Sequence, residues 1–293
     1  MKPSRIVLSG VQAMLLSAFC FALMTLCVRM LPRIPAHEAV FFRALGMTAI
    51  GSLLLWQARI PPLGTHLKAL VLRSLFGMMG LTSYFYTLKH MPLASAVTLQ
   101  YLSPVFSTLL AIKMLGEPVA RRRWVYFGLC LAGVVLVKGF DPRIALPMLG
   151  LSLFSAFCSG VAYNHVRSMR GLEHPYVILF YFSGLNLVLI APYTLSHWVM
   201  PMGSEWLWLA AMALLTHLAQ LLLTSALQSE AMAVVTPLNY TGVIYALLFG
   251  WYLFGEAVTV PALAGMALII AGVILAGRKT AAKPRGLNSP PAC

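Results

Sequence analysis

Apolar runs of about 20 residues follow one another along almost the whole chain, and prolines or charged residues separate them. The runs cover residues 6–28, 38–57, 69–88, 93–115, 122–138, 146–166, 175–195, 205–227, 231–254 and 258–277. Because a helix rises 1.5 Å per residue, a run of about 20 residues can cross the hydrocarbon core of a bilayer. Such runs favour helices over the short alternating strands of a membrane barrel. The pattern therefore predicts an all-α integral membrane protein with ten transmembrane helices.

The two halves of the chain repeat each other at an offset of 138 to 139 residues. The matching segments are Ser17 to Cys20 with Ser155 to Cys158, Val28-Arg29 with Val166-Arg167, Leu99 and Tyr101 with Leu238 and Tyr240, and Gly116-Glu117 with Gly255-Glu256. We therefore predict a first repeat over residues 6–139 and a second over 145–278. Because each repeat holds five helices, an odd number, the second enters the membrane from the opposite side. Such inverted repeats are typical of transporters that work by alternating access around a midplane site.

Composition and charge support a membrane protein and predict its orientation. The chain is 60% hydrophobic and 10% charged with a mean hydropathy of +0.85, which leaves too little polar surface for a soluble globule. With the N-terminus in the cytoplasm, fifteen of the 21 Lys and Arg residues lie on the cytoplasmic side, where they would meet anionic headgroups. We predict cytoplasmic termini in a bacterial-type inner membrane, and a disordered cytoplasmic tail over residues 279–293. The net charge of +14 is scattered over helix ends, which does not indicate nucleic-acid binding.

Several other readings of the sequence fail on specific grounds. A signal peptide could explain residues 1–30, but that stretch is longer than a usual apolar h-region, lacks a small-x-small cleavage site and recurs in the second half. The five cysteines show no CxxC spacing, so we predict no disulfide, no metal and no cofactor. No phosphate loop, HExxH, GxSxG or intramembrane carboxylate pair is present, so we predict that the protein is not an enzyme.

Polar residues inside the spans are the candidate binding residues. On the fourth span Gln100 lies beside Tyr101, and the repeat places Asn239 and Tyr240 at the equivalent positions of the ninth. Two such amide and tyrosine pairs facing each other would form a binding site. The alternatives are that the amides join helices by interhelical hydrogen bonds and that the tyrosines anchor the chain at the membrane interface. Further candidates for the cavity wall are Tyr84, Tyr86, Tyr163, Asn164 and Tyr181.

The eighth span carries His217 and Gln220 on one face near its middle. All seven acidic residues fall at span ends or in loops, so His217 is the candidate for proton coupling. The alternative is a neutral core histidine, and a uniporter or exchanger needs no such group.

Two arginines lie close to predicted span ends. Arg43 is one to two turns inside the second span, where it would pair with Glu38, snorkel towards the surface or bind a carboxylate of the substrate. We expect Arg73 to lie at the cytoplasmic interface.

Several motifs together resemble the EamA type of the drug/metabolite transporter superfamily over residues 6–278. They are Phe41-Phe42-Arg43, residues 92–104 (PLASAVTLQYLSP), Leu115-Gly116-Glu117, Ala132-Gly133-Val134, and in the second half Ala231 to Tyr240, Phe254-Gly255-Glu256 and Ala271-Gly272-Val273. The resemblance implies ten helices in two five-helix repeats, around a cavity lined mainly by the first, third, fourth, sixth, eighth and ninth. Residues 72–75 (LRSL) and 80–84 (GLTSY) resemble the branch with bacterial S-adenosylmethionine carriers.

The function predicted from these observations is secondary transport of a small polar metabolite across the inner membrane. Export of amino acids or related metabolites is the leading interpretation, and import or exchange of a cofactor such as S-adenosylmethionine or riboflavin is the alternative. A lipid-handling membrane protein is the alternative from another class. The protein would act as a monomer or homodimer.

Overall fold

The computed structural model describes residues 9–115, 125, 128–129, 132–133, 136, 144–229, 238, 241–256 and 259–278. Its regular structure over these residues is entirely helical. The helices are α1 Gly10–Arg29, α2 Ala36–Ala58, α3 Leu67–His90, α4 Leu93–Gln100, α5 Ser103–Leu115, α6 Leu146–Ser168, α7 Pro175–Ser196, α8 Glu205–Ser229, α9 Thr241–Phe254 and α10 Val260–Arg278. Five of them, α1, α2, α6, α7 and α8, have the length and apolar character needed to cross a bilayer, as a membrane protein requires.

The helix ends agree with the predicted spans to within a few residues, with one clear difference. The predicted fourth span is divided into α4 and α5 by a turn at Tyr101 and Leu102. Pro104 explains the division, because a proline has no amide hydrogen and is best accommodated in the first turn of a new helix. The predicted fifth span, over 122–138, and the start of the ninth, over 231–240, fall mostly outside the described residues.

The packing pairs helices of one repeat with helices of the other. In the repeat α1, α2 and α3 correspond to α6, α7 and α8, and the most extensive contacts join α1 with α8, α3 with α6, and α2 with α7. The first two of these contacts are therefore the same contact made once by each half. The equivalent serines Ser17 and Ser155 make equivalent hydrogen bonds across these two contacts. Ser17 Oγ donates to the carbonyl of Ala219 at 2.8 Å, and Ser155 Oγ donates to the carbonyl of Gly80 at 2.6 Å. The halves interlock instead of forming separate domains.

One end of the bundle, which we call the first end, is tied together by Arg29 at the end of α1. Its guanidinium forms an ion pair with Glu256 at 2.8 Å and donates to the carbonyl oxygens of Leu88 at 2.6 Å and Met91 at 3.2 Å. The Glu256 carboxylate also accepts from the amide of Leu93 at 2.9 Å, which caps the start of α4. These bonds join α1, α3, α4 and the segment after α9.

Two more contacts lie at the first end. Glu38 at the start of α2 accepts from the amide of Val199, after α7, at 3.0 Å. The Lys89 ammonium donates to the carbonyl oxygens of Leu31 and Ile34 in the connection between α1 and α2.

The opposite end, the second end, is organised around Glu173 between α6 and α7. Its carboxylate accepts from the amides of Thr65 and His66, both at 2.6 Å, and from the Thr65 hydroxyl at 2.8 Å. A carboxylate at the amino terminus of α3 both satisfies free amides and faces the positive end of the helix dipole. The α6 helix therefore ends at the second end, whereas its repeat counterpart α1 ends at the first.

Close packing of α5 on α6 generates the first prediction. A Cβ added to Gly160 would lie 2.8 Å from the amide nitrogen of Ser107 and 2.9 Å from Cβ of Phe106, so the two helices would have to separate. We expect Gly160→Ala to lower stability by about 1–3 kcal/mol, measured as the midpoint of thermal unfolding in detergent. Gly150→Ala on the same helix is the matched control, because nothing lies within 4 Å of its Cβ position. Equal midpoints for the two variants would contradict this packing.

The Glu173 cap generates a prediction about pH. Burial by itself would raise the pKa of Glu173, but the hydrogen bonds from His66 and Thr65 outweigh it, and the pKa lies below its usual value. A carboxyl whose pKa is lowered by folding stabilises the protein above its unfolded pKa of about 4.3, and the contribution is lost as pH falls through the folded pKa. Glu173→Gln should therefore unfold at a lower temperature than the native protein at pH 7, and the difference should shrink in acid below pH 4. A difference independent of pH would contradict the role of the charge.

Candidate functional site

A cavity lies at the centre of the bundle, between the two repeats. It encloses about 110 Å³ of open space, and since one water needs about 10–15 Å³, it has room for several waters or a small solute. Six of the nine predicted site residues line it: Arg43, Tyr84, Gln100, Tyr101, Tyr163 and Gln220. His217 is not among the lining residues, and Asn239 and Tyr240 lie outside the described residues.

The cavity is lined by more helices than the family resemblance implied. Residues of α1, α3, α4, α6 and α8 line it as expected, but α2 and α7 also contribute, through Arg43 and Phe182. These two helices bring the cavity a cation and an aromatic ring.

Arg43 is buried inside the bundle. Its side chain is 1% exposed, and Nε and both terminal nitrogens have no partner among the described residues. The guanidinium carbon stands 5.3 Å from the centroid of the Phe182 ring. The predicted partner Glu38 instead accepts a hydrogen bond from the amide of Val199. Arg43 therefore does not pair with Glu38, and because it is buried it does not reach the surface either.

Arg73 was expected at the cytoplasmic interface, and that expectation is wrong. The residue is 4% exposed, lines the cavity, and has its guanidinium carbon 4.1 Å from the centroid of the same Phe182 ring. Gly77 makes room for it, since a Cβ there would lie 2.4 Å from an Arg73 terminal nitrogen and 2.6 Å from Phe182. The sequence did carry a signal of the helix face that Arg73 occupies, because helical spacing places Arg73, Gly77 and Tyr84 on one face of α3.

The two buried arginines have no acidic partner in the part of the chain that the structure describes. The ion pairs there involve Arg29, Arg33 and His66, with Glu256, Glu205 and Glu173. An arginine at the centre of a membrane helix costs about 2.5–3.5 kcal/mol on insertion scales, and a cation over an aromatic ring recovers about 0.5–2 kcal/mol. The cavity therefore carries two positive charges that the described residues do not neutralise.

Gln100 joins two helices and also lines the cavity. Its Nε2 donates to the Ser159 hydroxyl and its Oε1 accepts from the Ser155 hydroxyl, both at 2.8 Å. Ser155 also lies within hydrogen-bond distance of the Gly80 carbonyl, and its single proton can serve one acceptor at a time. The interhelical hydrogen bonds proposed as the structural alternative are thus present, and the binding role of Gln100 stays a prediction.

The three tyrosines among the predicted residues lie in the cavity rather than at a membrane interface. Tyr84, Tyr101 and Tyr163 come from α3, the turn after α4, and α6. The Tyr101 hydroxyl lies against α9, where a Cβ on Gly242 would be only 2.0 Å away. Close approach of α9 to this side chain therefore requires glycine at position 242.

His217 and Asn164 lie away from the cavity lining. His217 is 5% exposed, near the backbone of Met47, and neither ring nitrogen meets the geometry of a hydrogen bond with a described residue. Asn164 donates to the carbonyl and hydroxyl oxygens of Ser107 at 2.9 and 3.1 Å, which joins α5 to α6. The structure gives Asn164 a packing role, and the proton-coupling role of His217 stays a prediction.

A family model covers nearly the whole chain in two copies. The model of the EamA-like transporter family matches residues 8–139 and again 146–278. The chain belongs to the EamA-like transporter family. It is therefore a membrane transporter and not an enzyme, and the two matches confirm the internal duplication.

Relatives of the transporter include proteins with different named substrates. The pseudopaline exporter CntI of Pseudomonas aeruginosa (strain UCBPP-PA14) is 30% identical over 273 residues, covering 92% of this chain and 96% of the relative. The riboflavin transporter of Rhizobium johnstonii is 26% identical and covers 97% and 95% of the two chains. The S-adenosylmethionine uptake transporter of Rickettsia felis is 26% identical and covers 68% of each.

The fold also matches a solved structure. A crystal structure with 18% sequence identity superposes with a TM-score of 0.67 over 93% of this chain and 99% of the other. At this identity the match supports the fold alone.

The position of His217 generates a prediction about coupling. If protons are carried through His217, His217→Gln should transport at a rate that no longer changes with pH between about 5.5 and 8, because the glutamine does not titrate there. The rate is measured in proteoliposomes with the first solute found to move. The matched control is His66→Gln, which removes a histidine at the second end. A pH profile identical to that of the native transporter would exclude coupling through His217.

Proposed function

We propose that the protein is a secondary transporter that moves a small polar metabolite across the inner membrane by alternating access. Export of amino acids or related metabolites is the direction and substrate class that we favour. The observation that carries the proposal is the cavity between the repeats, whose wall holds two arginines without acidic partners among the described residues. The relative with 30% identity is named an exporter, which supports export.

The arrangement of the two ends supports inverted repeats. The α1 helix ends at the first end and its counterpart α6 ends at the second, while α3 ends at the first end and its counterpart α8 begins there. Equivalent helices therefore run in opposite directions. In such a pair, each repeat can adopt the conformation of the other, which opens the central site to one side at a time.

The Arg29–Glu256 pair is our candidate for the closure of the first end. It joins α1 to the segment after α9 and to the start of α4, so opening this end requires that these bonds break. The repeat gives Arg167 and Glu117 as the counterparts of Arg29 and Glu256, and Glu117 lies outside the described residues.

Orientation and surroundings follow from the distribution of charge along the sequence. Both termini lie in the cytoplasm, and the basic residues on that side contact anionic headgroups. The second end, where Arg59, Lys68 and Arg170 lie close to the helix ends, is then cytoplasmic.

Two alternatives to metabolite export are import or exchange of a cofactor and the handling of lipid. Import or exchange of a cofactor is supported by the relatives named for S-adenosylmethionine and riboflavin, at 26% identity each. A lipid-handling protein would need a groove open to lipid, whereas this polar cavity lies at the contact between helices of both repeats.

Transport is tested by filling the cavity. Ala162 is 2% exposed and lines the cavity, so Ala162→Leu places additional carbon atoms inside it. The purified protein is first screened by thermal stability against amino acids, dicarboxylates, S-adenosylmethionine and riboflavin, because a solute that binds the native state raises the midpoint. Transport of each stabilising solute is then measured in proteoliposomes.

We expect Ala162→Leu to reduce the transport of any such solute roughly tenfold or more, since even 1.4 kcal/mol of lost binding is a factor of ten. Gly150→Leu on the same helix is the control and should transport normally, because open space surrounds it. Transport unaffected by Ala162→Leu would contradict a route through this cavity.

A further inference from the structure

We infer that the substrate is a small solute with two carboxylates, and that Arg43 and Arg73 each bind one of them. The inference rests on the proposed function, since it names the substrate class of the same cavity. Its starting point is that two arginines, 1% and 4% exposed, line one cavity and stand over one aromatic ring.

The first step concerns distance. The guanidinium carbons of Arg43 and Arg73 lie 5.3 and 4.1 Å from the centroid of the Phe182 ring, so they are separated by no more than the sum of these distances. At such a separation two like charges in a medium of low dielectric repel each other. One small molecule with an acidic group at each end can therefore contact both.

The second step concerns charge. Three nitrogens of Arg43 and the Nε of Arg73 have no hydrogen-bond partner among the described residues. A single carboxylate would pair with one guanidinium and leave the other charge buried in a medium of low dielectric. Two carboxylates neutralise both, and a planar guanidinium binds a carboxylate through two parallel hydrogen bonds.

The third step concerns the four acidic residues that the structure describes. Each of them already accepts hydrogen bonds at an end of the bundle: Glu38 from Val199, Glu173 from Thr65 and His66, Glu205 from Met202, and Glu256 from Arg29 and Leu93. None of these four reaches the cavity lining. The acidic residues that the structure describes therefore do not neutralise the arginines, and the inference assigns that part to the solute.

The fourth step concerns the remaining polar wall. The phenols of Tyr84 and Tyr163 and the amide of Gln220 supply further donors for carboxylate oxygens. The Thr25 hydroxyl already donates to the carbonyl of Ala22 at 2.7 Å. A wall with two cations and several neutral donors favours an anion and opposes a cation.

Gly77 preserves the geometry. A side chain at this position would collide with both an Arg73 terminal nitrogen and the Phe182 ring, at 2.4 and 2.6 Å from its Cβ. The space that glycine leaves is occupied by the guanidinium, which places it over the ring and in the cavity.

The experiment measures binding to the purified full chain by the midpoint of thermal unfolding. The probes are the potassium salts of acetate, malonate, succinate, glutarate and phosphate, at constant ionic strength. We expect dicarboxylates to raise the midpoint, with an optimum chain length, and acetate at twice the concentration to leave it unchanged. Arg43→Gln and Arg73→Gln should each weaken dicarboxylate binding roughly tenfold or more, because each loses hydrogen bonds to a charged group.

Stability without ligand separates binding from a structural role. Removing a buried charge that no described residue neutralises should leave the midpoint of each variant equal to or above that of the native protein, whereas loss of a structural contact would lower it. Arg170→Gln, at an exposed position near the second end, removes the same charge and should bind dicarboxylates like the native protein. Arg43→Lys and Arg73→Lys should recover only part of the binding, since a lysine cannot form the two parallel bonds.

Three results would overturn the inference. They are no shift with any dicarboxylate, a larger shift with phosphate than with every dicarboxylate, or dicarboxylate binding that survives both glutamine variants. If a cationic or neutral solute is transported and Ala162→Leu blocks it, the inference is wrong while the proposed function stands. If no solute in the panel moves and Ala162→Leu changes nothing, the proposed function itself fails.

Discussion

The close contact of α3 with α6, and of α1 with α8, is the interaction on which the rest of this structure depends. Lipid is as apolar as the side chains that face it, so helices in a membrane associate through tight packing and hydrogen bonds. Small residues allow both the tight packing and the hydrogen bonds here, because Ser155 donates to the carbonyl of Gly80 and Ser17 donates to the carbonyl of Ala219. Since each contact joins one repeat to the other, the cavity forms between the halves and any change in their relative position alters it.

The same constraint explains why polar groups in the bundle fall into two sets. Many of them bond a neighbouring helix, as Gln100 does through Ser159, or a carbonyl of their own helix, as Ser74 and Thr216 do. Other groups have no such partner among the described residues, including three nitrogens of Arg43 and the Nε of Arg73, and these two guanidiniums lie over the face of Phe182. A protein selected for stability alone would have paired or replaced such charges. Binding sites commonly retain groups that are costly in the empty state, and a ligand then supplies the missing partner.

Much of the fold could be predicted from the chain because its signals are local or periodic. Apolar runs of membrane length and the prolines between them located most helix ends, and the internal repeat predicted the duplication that the family model confirms. Part of the cavity lining was predicted for the same reason, and its binding role stays a prediction. Gln100, Tyr101 and Gln220 are polar residues inside apolar spans, and all of them line the cavity.

The direction of the Arg73 side chain could not be predicted from the sequence. A duplicated helical membrane protein and its polar positions follow from the order of residues alone, because run length, repeat offset and charge do not depend on how the helices pack. That order did not determine that Arg73, six residues into its helix, turns inward with Arg43 onto one ring of α7. That position depends on the packing of the helices, because Gly77 leaves room for the guanidinium beside a ring more than a hundred residues away in the chain. The direction of a long side chain near a helix end is set by which neighbour packs against it, and that neighbour is chosen by the fold.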